Sequence, residues 1–250
     1  AVEASASPTV EDCDFSRNTA RIAGAVDIGS SAIPTVENCG FTRNTAADRG
    51  GAVFCQEGST VTVEACAFIE NTAGAAGGAV YGETIGLTLM DCSFAVNEAA
   101  QTGGAVCLKK PETVGRGRRG AGQHSDGSGA LRGTPAVINC RFFLNKAEIG
   151  NGGAIFCAVE APPSIRNCLL AANAAGRRGG GVYCVAGAAI EQCTLVNNRS
   201  ATTAGIDLPC GGAVYCSGTG SVSLTGNIVA GNRGVAVGAD SATAELFVDH

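Results

Sequence analysis

One position along this chain is aliphatic at regular intervals: Val10, Val36, Val63, Leu89, Val137, Ile165, Ile190 and Leu224. The next position is mostly polar (Glu11, Glu37, Glu64, Met90, Ile138, Arg166, Glu191, Thr225), and the one after it is often a turn former (Asp12, Asn38, Asp91, Asn139, Asn167). Then comes a cysteine with a large apolar residue two places on: Cys13 with Phe15, Cys39 with Phe41, Cys66 with Phe68, Cys92 with Phe94, and Cys140 with Phe142. Leu170 and Leu195 take the phenylalanine place after Cys168 and Cys193. A spacing of two puts both side chains on one face of an extended strand. Three residues further on stands an asparagine: Asn18, Asn44, Asn71, Asn97, Asn145, Asn173, Asn198 and Asn232. Each unit is completed by Gly-Gly-Ala-Val or a close variant, beginning at Gly50, Gly77, Gly103, Gly152, Gly179 and Gly211. Glycine pairs and turn formers divide each unit into three short extended pieces, too short for helices.

Units of about 25–28 residues, repeated in this way, stack on one another and share a continuous core. The expected fold is all-β: a single-stranded right-handed parallel β-helix of about eight coils, with three short strands per coil, its hand following the rule for parallel crossovers. At a coil rise of roughly 4.8 Å the rod is on the order of 40 Å long. Stacking turns each column into a ladder. Phe15, Phe41, Phe68, Phe94 and Phe142 form an aromatic one. The asparagines form an amide one, each side chain donating to the coil on one side and accepting from the other. The glycine pair supplies a positive φ or close backbone passage.

The 250 residues thus form a single domain, 1–250, rather than the two that length alone suggests. Ala1 and Val2 fall where a Gly-Gly-Ala-Val strand ends, so the chain is expected to be a piece of a longer one. Two insertions interrupt the period. Residues 109–133 hold six Lys or Arg and seven Gly and are expected to be a flexible basic loop; 199–210 is a shorter insertion. A net charge of −5 argues against a nucleic-acid partner, and no stretch approaches the roughly 20 apolar residues of a membrane span.

The thirteen cysteines fall mostly into two columns, one at 13, 39, 66, 92, 140, 168 and 193 and one at 55, 157, 184 and 216. Cysteines stacked at the coil rise hold their Cβ atoms slightly too far apart for ordinary bridging. They are expected to be mostly free, buried thiols, with some inter-coil disulfides as the alternative. Cys107 and Cys210 fall off register and are the candidates for reactive or bridging thiols. With no Cys-x-x-Cys pair and no histidine inside a repeat, neither metal nor cofactor is expected.

The pairing of Phe-x-x-Asn (15–18, 41–44, 68–71, 94–97, 142–145) with Gly-Gly-Ala-[Ile/Leu/Val] resembles the repeat of the chlamydial polymorphic outer-membrane proteins and related right-handed β-helix repeat proteins. The resemblance implies a cell-surface or extracellular passenger of an autotransporter, acting in adhesion toward a host-cell receptor or glycan.

Many parallel β-helices are polysaccharide-active enzymes, which need clustered carboxylates with nearby bases. The nearest feature here is the column Glu11, Glu37 and Glu64, a candidate ligand contact whose simpler reading is a solvated strand face. The basic loop offers Lys109, Lys110, Arg116, Arg118 and Arg119 to an acidic surface. Its Gly115–Gly120 stretch matches G-x-G-x-x-G but lacks the strand and helix of a dinucleotide site. Asn198-Arg199-Ser200 is a formal glycosylation acceptor, although Asn198 is a ladder position. No catalytic residue is assigned. The expected function is a non-enzymatic scaffold for adhesion or surface display, with a pectate-lyase-like enzyme or a purely architectural segment as alternatives.

Overall fold

The computed structural model describes residues 6–83, 86–110, 134–159, 161–185, 187–201, 210–218 and 221–240, with the backbone of 246–249. The described strands form four parallel sheets wound as one solenoid. In coil order, the first sheet has nine strands, from Thr9–Glu11 to Leu246–Asp249, and the second has eight, from Asp14–Ser16 to Ile228–Ala230. The third has seven strands of two residues each, from Thr19–Ala20 to Arg199–Ser200, and the fourth has eight, from Val26–Ile28 to Val237–Ala239. A coil therefore carries four strands, where the sequence suggested three. The additional one is the residue pair after each ladder asparagine, such as Thr45–Ala46, which is too short to display an alternating pattern. Arg199 and Ser200, assigned from the sequence to the shorter insertion, form the last strand of this third sheet.

The register is that of the repeat: Phe15, Phe41, Phe68, Phe94, Phe142, Leu170, Leu195 and Val229 pair in succession. Neighbouring phenylalanine rings lie 4.7–5.0 Å apart, nearly parallel, and Phe41, Phe68, Phe94 and Phe142 are fully buried. The coil rise imposes this spacing, and the aliphatic columns (Val36, Val63, Leu89; Val53, Val80, Val106) fill the rest of the interior. Ala52, Ala79, Ala105 and Ala154 are fully buried in the same core.

Three of the corners in each coil hold one residue in the left-handed region at a recurring position. The first is the residue before the cysteine (Asp12, Asn38, Ala65, Asp91, Asn139), with φ of 51–54°. The second precedes the ladder asparagine (Arg43, Glu70, Val96, Leu144), with φ of 55–58°. The third is the first glycine of the pair; Gly103, for example, has φ +64°, and an added Cβ would lie 2.3 Å from the Val106 carbonyl oxygen. The second glycine serves a different need. A Cβ on Gly51 would lie 1.9 Å from the Gly78 carbonyl oxygen of the next coil, so the backbones pass too closely for any side chain.

The amide ladder is more fully bonded than the sequence suggested. From Asn44 to Asn173 each Nδ2 donates both to the next asparagine Oδ1 and to the carbonyl of the preceding coil's phenylalanine, as Asn44 does to Asn71 (3.0 Å) and Phe15 (2.9 Å), and Asn198 uses Leu170 in the same way. Each Oδ1 also accepts the backbone N–H of the previous ladder residue. Asn44 through Asn198 are buried, so this satisfaction is what makes their burial tolerable.

A second apolar layer lies outside the fourth sheet. Phe54, Tyr81, Cys107, Phe156, Tyr183 and Tyr215 share one outward column. Turn residues such as Ala23 and Ala76 pack with this column. Arg49 lies over the Phe54 and Tyr81 rings, and Arg178 over Tyr215 at 4.8 Å.

Candidate functional site

The structure separates the sequence candidates into structural and open positions. The phenylalanine and asparagine ladders are core. Cys39, Cys66, Cys92 and Cys140 are buried free thiols, each donating to a backbone carbonyl two residues before it. Burial pushes the Cys39 thiol up, and that of Cys55 in the second column up to about 12. Cys107 does fall off register, and it is buried. It takes an aromatic's place in the outer layer, Leu108 takes the inner position, and burial pushes its thiol up to about 12. Cys210 is likewise buried. Asn198 is fully buried with its amide committed to Leu170 and Asn232, so the formal glycosylation acceptor is closed.

Glu11, Glu37 and Glu64 stack in register on the outer face of the first sheet. Met90 and Ile138 continue that column, and its first cation is Arg166, which pairs with Glu191 at 3.0 Å. The three carboxylates therefore line an open strand face. Among the described residues no group of three or more His, Cys, Asp and Glu is placed to hold a metal ion. Lys109 ends a strand of the fourth sheet and Lys110 follows it; Arg116, Arg118 and Arg119 lie outside the described residues.

A concave site lies elsewhere, on the third sheet. Its outward column runs Thr19, Thr45, Thr72, Glu98, Lys146, Ala174, Arg199 and Arg233. Ala174 leaves a gap between the Lys146 and Arg199 rungs, and its neighbours Ala147, Ala175, Gly176 and Ala201 are also small. The result is a cleft of about 550 Å³ with Lys146 and Glu148 at one end and Arg199 and Arg233 at the other. Lys146 pairs with Glu148, which raises the lysine, while hydrogen bonds with Glu98 and then with Lys146 lower the Glu148 carboxyl. Glu98, one rung away, shares a hydrogen bond with Glu148 and is raised by it. Lys146 is thus compensated by local carboxylates.

Arg199 and Arg233 have no such compensation. They occupy adjacent rungs of one column, and neither is in an ion pair among the described residues. Beneath them, the inner column runs Ala20, Ala46, Ala73, Ala99, Ala147, Ala175 and then Ser200. The Ser200 hydroxyl is buried without a hydrogen-bond partner, and Ser200 lines the cleft. Sequence reasoning missed this site. Its one signal was a serine in an otherwise alanine column, visible only once the third strand is recognised.

Residues 1–200 match the family model described as right handed beta helix region, so the chain belongs to that family. No curated protein and no solved structure matched the chain. Among the described residues no helix is long and apolar enough to cross a membrane.

Proposed function

We propose that this chain is a non-enzymatic scaffold, displayed at a cell surface or secreted, that presents its outer columns and loops for adhesion. One observation carries the reading. The side chains that recur in every coil are consumed by packing, as Phe68 and Asn71 are, while outward columns change from rung to rung, as in Thr72, Glu98, Lys146, Ala174 and Arg199. A rigid rod with a changing exterior suits display. The Phe-x-x-Asn and Gly-Gly-Ala pattern supports the finer reading, a passenger akin to the chlamydial polymorphic outer-membrane proteins, with a host-cell receptor or glycan as partner. Coating beads with the protein and with a variant lacking 109–133, then scoring attachment to cells, tests it. Attachment by the intact chain supports display, and loss in the variant assigns the contact to the basic loop. No attachment by either would contradict it.

A second reading, a polysaccharide-active enzyme, draws on the gathering of Lys146, Glu148, Arg199 and Arg233 around one cleft. Turnover of a uronate polymer, lost in Glu148→Gln, would favour it.

A further inference from the structure

We propose that the outer face of the second sheet is the contact surface for a second copy of this chain, packed face to face about a two-fold axis parallel to the strands. Each of the eight strands turns two residues outward, one before and one after the buried phenylalanine or its replacement, and of these sixteen only Asp14 and Arg141 are charged. The neighbouring faces differ. The first sheet turns out Glu11, Glu37, Glu64, Arg166 and Glu191, and the third Glu98, Lys146 and Arg199. On the second sheet Phe143 is 50% exposed beside the fully buried Phe142, and Ile69 and Leu169 are exposed as well. Large apolar side chains gathered on one open face mark an interaction surface.

The occupant follows from the order of sizes along the face. In the column after the phenylalanine, Ile69, Ala95, Phe143 and Ala171 alternate large and small from rung to rung. In the column before it, Ala67 and Ser93 are followed by Arg141 and Leu169. A two-fold axis between the Ala95 and Phe143 rungs reverses the rod and sets each column opposite itself. Phe143 then meets the second copy's Ala95, Ile69 its Ala171, Leu169 its Ala67 and Arg141 its Ser93. Every large residue of the four central rungs faces a small one, which is the interlocking that sheet-on-sheet packing at about 10 Å requires. An unrelated partner has no reason to fit this order, and a reversed copy of the chain fits it at all four rungs. The match fails only at the outermost rungs, where Asp14 comes level with Ile228 at a rim open to water.

Area and charge agree with a second copy. Eight rungs, each of three strand residues and a corner residue on either side, measure roughly 38 by 16 Å, or about 600 Å² per copy and about 1,200 Å² for the pair. That is the low end of specific interfaces and exceeds ordinary crystal contacts. Along the adjoining edge of the first sheet the same axis brings Met90 level with Ile138, and Glu64 level with Arg166 of opposite charge. Glu37 comes level with Glu191, whose charge Arg166 already meets. The chain's own long insertion, 109–133, makes poor cover for the face: Val114 and Leu131 are its only large apolar residues, among six Lys or Arg.

Sedimentation velocity of the intact chain over a concentration series tests this. The protein should dimerise, and Phe143→Asp should weaken the dimer about thirtyfold or more. Its circular dichroism should not change, since that side chain lies outside the core. Ile149→Asp, at an exposed apolar residue beyond the third sheet, should leave the dimer unchanged. Ala95→Phe should weaken it by setting one ring against another. Ala95→Phe with Phe143→Ala should restore it, because the knob and its hole have exchanged places. In a Cys13→Ser background, Ile69→Cys with Ala171→Cys should join two chains through a short bis-maleimide, since within one chain these positions lie three rungs or roughly 14 Å apart. A monomer at every concentration up to about 0.1 mM would assign the face to another partner and overturn the proposal. A dimer indifferent to Phe143→Asp, no rescue by the exchange, or no cross-link between copies would overturn it equally.

Discussion

The Asn71 side chain donates to Asn97 Oδ1 at 3.0 Å, and the Asn71 backbone N–H reaches the same oxygen at 3.0 Å. One amide oxygen therefore closes both the side-chain ladder and the corner it sits on. Replacing Asn71 with alanine strands the Asn44 amide, the Asn44 N–H and the Phe41 carbonyl in a dry interior. We expect a loss of about 3 kcal/mol or more, from groups that each cost roughly 1–3 kcal/mol. Urea denaturation of Asn71→Ala measures it.

Phe68 lies between Phe41 and Phe94, at centroid distances of 4.7 and 4.8 Å. Phe68→Ala should cost about 3–5 kcal/mol. Phe68→Leu should cost under about 1.5 kcal/mol, because Leu170 and Leu195 already occupy the same column. Comparing the two midpoints checks that the column demands volume more than aromaticity.

Val96 is exposed and β-branched, yet has φ 58°. That conformation costs an L-residue about 1–2 kcal/mol. Val96→Asn should therefore raise stability by about 1 kcal/mol, seen as a higher Tm. Gly103→Ala should lower it, because there an added methyl meets the Val106 carbonyl as well as an unfavourable φ.

The buried thiols make stability fall on the alkaline side. Cys55 and Cys107 rise from 9.0 to about 12 on folding, so the folded state holds their protons more tightly than the unfolded state. Their contribution is fully present below pH 9 and is lost as pH climbs from 9 towards 12. Denaturation midpoints measured across that range should decline, and replacing both with alanine or valine should flatten the decline. In the native state iodoacetamide should reach exposed Cys13 quickly and the ladder thiols at 39, 66, 92 and 140 only on unfolding, as read by peptide mass spectrometry.

Much of this molecule was legible from its residues, for a physical reason. Phe68, Asn71 and Cys66 recur because parallel coils place equivalent positions in contact, so each column selects one side chain. What did not recur stayed hidden. The Thr72–Ala73 strand is two residues long and carries no alternation. The corner at Arg43, Glu70, Val96 and Leu144 is left-handed without the residue types that announce it, because backbone bonds from neighbouring coils hold it. Cys107 was correctly seen to be off register, but its cover, a turn folded over an outer aromatic layer, is a tertiary fact. The cleft depends on Ala174 being small between two cationic rungs, which only the three-dimensional register makes meaningful.

Side-chain amide hydrogen exchange of ¹⁵N-asparagine-labelled protein tests most directly whether repetition here reports burial. The Nδ2 protons of Asn71, Asn97 and Asn145 should exchange only through global unfolding, slowing together and matching the denaturation free energy. Exchange at the rate of solvent-exposed amides in the folded protein would contradict the account.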